Sequence, residues 1–165
     1  AVDFQSPHTS GRILAFRATA TGMTRLGTPC GAQQPRAGVR EVRRLTFFDR
    51  PPPVTERVRW TVHGAPSGAA TVLMFGQSAK SYGGIPLPWS LRPLGLPSCL
   101  LRTASGVAIA VRAGTRGLGR GYAVFELPLR LAGAGRHPLY AQWLVLDGAA
   151  PRLTSVSEAV FVPVR

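Results

Sequence analysis

The residue types that could carry catalysis or bind a metal are few in this chain and widely spaced. Its three histidines, His8, His63 and His137, lie in or beside turns, and only seven acidic residues are available to complete a metal site. These acids show none of the paired spacing used by glycosidases or by EF-hand calcium loops. We therefore expect neither a metal nor a cofactor.

A serine nucleophile would need a histidine and an acid in contact with it. Ser78, His63 and Asp147 are the available residues, but no Gly-x-Ser-x-Gly elbow presents the serine. The glycine-rich run 114–121 has the composition of a phosphate loop, yet it lacks the Lys-Ser/Thr pair and a following helix. The sequence therefore predicts a protein that is not an enzyme.

Arginine dominates the charge of the chain. The net charge is +13, from 20 basic and 7 acidic residues, and Lys80 is the single lysine. Most arginines are scattered singly, which argues against a dedicated nucleic-acid-binding surface. The densest group is a candidate contact set for an anionic ligand such as an acidic polysaccharide, although a merely solvated basic surface would have the same sequence. This group consists of Arg36, Arg40, Arg43, Arg44 and Arg50.

The two cysteines, Cys30 and Cys99, indicate whether the protein is cytosolic or exported. In a reducing cytosol they would be buried or redox-active thiols, and in an exported protein they would pair. Neither belongs to a Cys-x-x-Cys motif, so they do not indicate a metal site. The chain begins Ala-Val-Asp-Phe without a methionine, and no apolar run reaches the ~18 residues of a membrane span. We therefore expect a secreted protein whose signal peptide has been removed.

Short alternating segments separated by glycines and prolines predict strands and no convincing helix. The clearest alternation is in residues 57–62, where Val58, Trp60 and Val62 share one face. Residues 82–99 contain four prolines but are too apolar for a solvated linker, so we predict an extended connection that lies against a core. Eight or nine strands predict an all-β fold, an antiparallel β-sandwich whose order, immunoglobulin-like or jelly-roll, the spacing leaves open.

The chain divides into an N-terminal extension, residues 1–25, and a single β-sandwich domain, residues 26–165. The extension contains a strand candidate, residues 12–20, with apolar residues on both faces, including Leu14, Phe16 and Ala18 on one of them. Such a strand is either the ordinary first strand of its own sheet or a strand that adds to the open edge of a neighbouring subunit.

Several motifs follow one another in the order of a known domain. They are Gly27-Thr-Pro-Cys-Gly31, Phe75-Gly-Gln-Ser78, Gly83-Gly-Ile-Pro-Leu-Pro88, Gly95-Leu-Pro-Ser-Cys-Leu100 and Leu139-Tyr-Ala-Gln-Trp143. Over about residues 26–165 the chain resembles a C-terminal β-sandwich domain of secreted bacterial proteins of planctomycete and myxobacterial type. The resemblance implies a disulfide between Cys30 and Cys99 and brings no catalytic residue. Ser98 replaces the glycine that is more usual there, and this chain is far more basic.

These observations predict a non-enzymatic exported structural protein that assembles with copies of itself into a filament, surface layer or matrix, with residues 1–20 contacting a second copy. The alternative is an extracellular module that binds anionic glycans or cell-surface polymers. A coat protein associated with nucleic acid is a third hypothesis, and it would require the arginines to gather on one face.

Overall fold

The protein is built almost entirely of β-strands in the computed structural model, which describes residues 14–17, 24–46, 54–116, 120–128, 139–147 and 152–162. The strands form antiparallel sheets, and a disulfide joins Cys30 to Cys99, whose Cα atoms are 5.4 Å apart. The predicted all-β antiparallel sandwich with one disulfide is therefore confirmed. Across the described ranges, no helix is both long and apolar enough to cross a membrane.

The strands are numbered here in chain order, and a single short 3-10 turn, Arg92–Leu94, stands between the ninth and tenth in the described part of the chain. They are β1 (Leu14–Arg17), β2 (Thr24–Leu26), β3 (Cys30–Gly31), β4 (Arg36–Thr46), β5 (Val54–Pro66), β6 (Ala70–Gly76), β7 (Ser81–Tyr82), β8 (Ile85–Pro86), β9 (Trp89–Ser90), β10 (Leu100–Leu101), β11 (Val107–Arg112), β12 (Gly114–Arg116), β13 (Arg120–Pro128), β14 (Leu139–Leu146), β15 (Leu153–Val156) and β16 (Ala159–Val162).

Two large sheets form the sandwich. Sheet A has the order β1-β4-β5-β13-β12, and sheet B has the order β11-β6-β14-β15-β3, in which β16 also pairs with β14 and with β2. The chain passes from sheet B to sheet A between β11 and β12, at the buried Ala113. Because β2 and β3 pair with β16 and β15, the beginning and the end of the described domain lie side by side in sheet B.

The main core lies between the two sheets, as the alternation in β5 predicts. Val58, Trp60 and Val62 are all buried, which confirms their shared inward face. The ring of Trp60 meets Phe75 of sheet B edge to face, with centroids 5.0 Å apart, and Phe75 in turn contacts Phe125 at 6.0 Å. Aromatic pairs of this geometry add about 0.5–1.5 kcal/mol to the area they bury, so these rings help hold the two sheets together.

A second apolar cluster lies on the opposite face of sheet B, where the proline-rich connection covers it. Leu91, Cys99 and Leu101 are buried there against Val156 of β15, with Trp89 packed beside them. The prediction that residues 82–99 lie against a core is therefore confirmed in part: Leu87, Trp89, Leu91, Leu96 and Cys99 belong to this cluster, whereas Tyr82, Ile85 and Leu94 are exposed. The connection contains a β7–β8 hairpin and the β9–β10 pair, so it is more ordered than a simple extended segment.

Gln142 joins this covering connection to sheet B. Its Oε1 accepts a hydrogen bond from the N–H of Arg102 at 2.9 Å, and its Nε2 donates to the carbonyl oxygens of Leu100 at 3.1 Å and Ser157 at 2.8 Å. Ser157 lies in the short break between β15 and β16, where its hydroxyl accepts the N–H of Trp143 at 3.0 Å. One buried side chain thus supplies partners for three backbone groups that strand pairing does not satisfy.

The glycines, proline and serine of residues 64–68 predict a turn over that whole stretch, and this prediction is partly wrong. Strand β5 continues to Pro66, and the turn is confined to Ser67 and Gly68. Gly64 is instead an extra residue in the ladder: Tyr122 pairs with His63, while Gly121 pairs with Ala65. Its φ of +86° is a conformation that side chains disfavour, which is why a glycine stands at this bulge.

Candidate anion-binding face

The outer face of sheet A, which we call the basic face, carries arginines from adjacent strands. Alternation along β5 places Arg57, Arg59 and His63 on this face, because the residues between them point into the core. Arg36 of β4 is exposed and is the ladder partner of His63. We define the basic face by the side chains of Arg36, Arg57, Arg59, His63 and Tyr122, together with Glu126.

Glu126 is the carboxylate that the described part of this face presents, and two arginines share it. Arg59 Nη2 lies 2.6 Å from Glu126 Oε1, and Arg57 Nη1 lies 3.5 Å from Glu126 Oε2. The side chains of Arg57 and Arg59 remain 37% and 32% exposed, against 17% for Glu126. The group therefore keeps one net positive charge, and its cationic members are more accessible to solvent than its anionic one.

The ladder between β4 and β5 adds further basic positions. Arg40 is the partner of Arg59, so two arginine positions stand directly opposite each other in neighbouring strands. The other members of the predicted cluster are more dispersed: Arg43 pairs with Glu56 in β5, and Arg44 pairs with Phe16 in β1. Arg50 lies outside the described residues. Of the predicted anion contacts, the structure thus places Arg40 opposite Arg59, whereas Arg36 lies four residues away along β4, opposite His63.

One end of the basic face carries an aromatic pair. The rings of His63 and Tyr122 are stacked, with centroids 5.4 Å apart and planes inclined by 28°. This pairing continues the regular register of β13 with β5, in which Ala123 is opposite Val62 and Tyr122 is opposite His63. The bulge at Gly64 shifts the pairing only beyond that point, where Gly121 is opposite Ala65. His63 of this pair is exposed and Tyr122 is half-buried, and Arg36 is the arginine opposite His63.

The N-terminal strand candidate lies at the edge of the same sheet. Leu14–Arg17 forms β1 and pairs with Arg43–Thr46 of the same chain, so Leu14 and Phe16 occupy ladder positions within their own subunit. Ala18 lies outside the described residues. Contact of this segment with a second copy stays a prediction.

Comparisons with protein-family models, curated proteins and solved structures returned no match. The resemblance to a secreted bacterial domain therefore stays a prediction. The arrangement of this chain's own residues is the basis on which a function can be proposed.

The residues considered for a hydrolase occupy different parts of the sandwich. His63 lies on the outer face of sheet A, stacked on Tyr122. Ser78 follows β6 in sheet B, and its hydroxyl accepts the N–H groups of Lys80 and Ser81 at 3.0 and 3.2 Å, as in a turn. Within the described ranges, no three His, Cys, Asp or Glu side chains form a group that could hold a metal ion.

Sequence reasoning missed three members of the basic face: Arg57, Arg59 and Tyr122. The two arginines had a signal, since they alternate with buried residues in the best-patterned strand of the chain. Alternation with the inward Ala123 also puts Tyr122 on the outer face, but its place beside His63 depends on the register between β5 and β13. The three tryptophans do not supply an exposed ring on which a sugar could stack: Trp60 and Trp143 are buried and Trp89 is partly buried.

Proposed function

We propose that this protein is an exported, non-enzymatic module that binds anionic polymers through the basic face of sheet A. The observation that carries the proposal is that Arg57 and Arg59 share Glu126 on one sheet face, on which the exposed Arg36 lies further along, opposite His63. The disulfide and the lack of a membrane-crossing helix in the described ranges fit an extracellular protein.

The geometry of a sheet favours a polymer over a small ion. Neighbouring strands are about 4.8 Å apart, and alternate residues along a strand are about 7 Å apart, so the basic positions form a flat array. A linear polyanion presents charges at comparable intervals and can contact several positions at once. Guanidinium groups suit this role because their planar donors match carboxylate, sulfate and phosphate oxygens.

Neutralising two arginines of the basic face is expected to weaken binding to alginate, a carboxylated polysaccharide, by about tenfold at 50 mM salt, since two exposed contacts contribute about 1.4 kcal/mol together. The variant is Arg36→Gln/Arg59→Gln, and affinity is measured by calorimetry or on an alginate surface. Raising the salt should weaken wild-type binding progressively, because exposed charges are screened.

The matched control removes the same charge from elsewhere. Arg92 and Arg152 are both exposed and lie away from sheet A, in the proline-rich connection and before β15. Arg92→Gln/Arg152→Gln should change the affinity less than twofold. Equal losses in the two variants would mean that net charge, and not this face, governs binding.

A second candidate function is self-assembly, and strand β11 favours it. This strand is an edge of sheet B, paired with β6 on one side, and no other described strand pairs with it. Its sequence Val-Ala-Ile-Ala-Val has neither proline nor charge before Arg112, and Val107 is 55% exposed. Natural edge strands usually carry features that block further pairing, so an apolar edge is a template for another strand.

The second strand that we propose is β11 of another copy. Antiparallel pairing about a two-fold axis would join two B sheets and would set the two Arg112 residues about 17 Å apart. Parallel pairing would place those charges side by side, so the antiparallel arrangement is favoured in a strongly basic protein.

Placing a charge at this edge is expected to convert assembled protein to monomer. Ala110 is exposed in the middle of β11, so Ala110→Lys should leave the fold intact while blocking strand addition. Native mass and light scattering report the result, with Ala110→Thr as the uncharged control. If deleting residues 1–20 abolishes assembly and Ala110→Lys does not, the contact belongs to the N-terminal segment and this assignment is wrong.

A further inference from the structure

We infer that the β7–β8 hairpin inserts its tip into the surface of an anionic lipid bilayer. This inference goes beyond the proposed function, because the hairpin is part of the connection that covers sheet B, whereas the basic face belongs to sheet A. It depends on an exposed aromatic and aliphatic pair at the tip, Tyr82 and Ile85, and on the cations that flank it in the chain, Lys80 and Arg92.

The tip of the hairpin projects from the fold. Gly83 and Gly84 connect the two short strands with φ of +55° and +85°, and two such positive values in succession are typical of a tight hairpin turn. No described atom lies within 4 Å of a Cβ built at either glycine. Every residue from Ser81 to Pro86 is exposed, so the turn stands clear of the rest of the described molecule.

The base of the hairpin is anchored to the fold. The N–H of Leu87 donates to the carbonyl oxygen of Lys80 at 2.8 Å, and the Leu87 side chain packs in the second apolar cluster. The Ser78 hydroxyl accepts the N–H groups of Lys80 and Ser81, and the Ser78 carbonyl accepts the N–H of Ala104 at 2.9 Å. Because the hairpin is already fixed, little conformational freedom is lost when its tip binds a surface.

The tip is apolar and the charges that flank it are all positive. Tyr82 and Ile85 are direct partners in the strand pair, so they share a face, and they are 43% and 46% exposed. No charged residue stands between Lys80 and Arg92 in the chain, and residues 57–125 contain no acid. An apolar tip flanked only by cations is complementary to a bilayer whose headgroups are anionic.

The dimensions of the hairpin also fit this surface. Lys80 precedes Gly83 by three residues, which is about 10 Å along an extended strand. Apolar groups at membrane surfaces reach about 5–10 Å into the boundary between headgroups and acyl chains. With Ile85 at this depth, Lys80 lies at the level of the headgroups, towards which its long side chain can extend. Tyr82 has an apolar ring and a polar hydroxyl, a combination that is enriched at this level of membranes.

A protein partner suits the hairpin less well. Stable protein interfaces bury about 800 Å² on each partner, whereas this tip offers two half-exposed apolar side chains beside a two-residue turn. A bilayer needs no matching pocket and accepts a narrow tip. We therefore assign the hairpin to lipid, with a second copy of the chain as the competing outcome of the test.

Removing the two apolar side chains should reduce the part of vesicle binding that resists salt. Binding to vesicles of phosphatidylcholine and phosphatidylglycerol is measured by co-sedimentation at low salt and at ~1 M salt, where charges are screened beyond about 3 Å. Wild type should retain part of its binding at ~1 M salt, and Tyr82→Ser/Ile85→Ser should lower that partition coefficient about tenfold. Both positions are exposed, so the urea unfolding midpoint should stay close to that of wild type.

The matched control removes two apolar side chains from outside the hairpin. Leu94 and Val107 are 50% and 55% exposed, so Leu94→Ser/Val107→Ser deletes at least as much exposed apolar surface. Its partition coefficient at ~1 M salt should change less than twofold. Equal losses in the two double variants would overturn the inference, and so would a wild type without binding at ~1 M salt.

The basic-face variant keeps this test separate from the proposed function. Arg36→Gln/Arg59→Gln should weaken vesicle binding at low salt and leave binding at ~1 M salt unchanged. A wild type that binds no alginate but retains salt-resistant vesicle binding would support this inference while the proposed function fails. If Tyr82→Ser/Ile85→Ser keeps its vesicle binding and converts an assembled species to monomer in native mass measurements, the hairpin contacts a second copy and the lipid assignment is wrong.

Discussion

Replacing both cysteines is expected to lower the free energy of unfolding by about 4 kcal/mol. The disulfide closes a loop of 69 residues, and a cross-link over that length removes about this much conformational freedom from the unfolded chain. Cys99 is also fully buried in the cluster that holds the proline-rich connection against sheet B. Urea unfolding of wild type and of Cys30→Ala/Cys99→Ala, followed by tryptophan fluorescence, measures the difference.

Reduction of the wild-type protein provides the matched control, since it opens the bond without changing side-chain volume. Reduced wild type and the double variant should unfold at similar urea concentrations, both well below the oxidised protein. In native-state hydrogen exchange, the N–H of Leu91, which donates to the Cys99 carbonyl at 2.9 Å, should lose protection first. Identical midpoints for oxidised and reduced protein would show that the disulfide does not stabilise the fold.

Replacing Gln142 by leucine is expected to cost about 3–5 kcal/mol of unfolding free energy. The substitution keeps the approximate size but removes hydrogen-bond partners from Arg102, Leu100 and Ser157, and each buried backbone group left without one costs about 1–3 kcal/mol. Thermal and urea unfolding measure the loss. Because the three groups belong to the covering connection and to the break before β16, both regions should lose exchange protection together.

An exposed glutamine gives the control for this change. Gln77 lies in the turn after β6 with its side chain exposed, so Gln77→Leu should alter stability by no more than about 0.5 kcal/mol. If Gln142→Leu is as mild as Gln77→Leu, then the hydrogen bonds of Gln142 do not fasten the connection to the sheet.

Local patterns in the sequence were sufficient to predict the general architecture. Alternation in residues 57–62 correctly separated the buried Trp60 from the outward Arg57 and Arg59, because strand periodicity depends only on neighbours along the chain. Most of the proline-rich stretch was placed correctly against a core for a similar reason: its prolines exclude a central strand, while its apolar residues exclude a solvated linker. The exposed Tyr82 and Ile85 of the β7–β8 hairpin are the exception. Both inferences use information contained within about 20 residues.

Features that depend on distant residues were not predictable. Gln142 lies in an otherwise apolar strand, and its partners are 15 to 42 residues away, so its role cannot be read from its surroundings. Gly64 was interpreted as part of a turn because a glycine at a bulge and a glycine in a turn meet the same backbone requirement. The basic face needs the register between β4, β5 and β13, which long-range pairing determines.

The pairing of β2 and β3 with β16 and β15 has a consequence for folding during synthesis. Cys30 of β3 is opposite Val156 of β15. The strand against which Cys30 pairs is therefore synthesised after every other described strand except β16. In a chain delivered N-terminus first, Cys99 also emerges as a free thiol before that strand exists, and such distant pairings form slowly. With two cysteines in all, any bond formed early within one chain already joins the correct pair. The kinetic hazard is therefore oxidation between chains, and because dilution disfavours that reaction, dilution should raise the refolding yield.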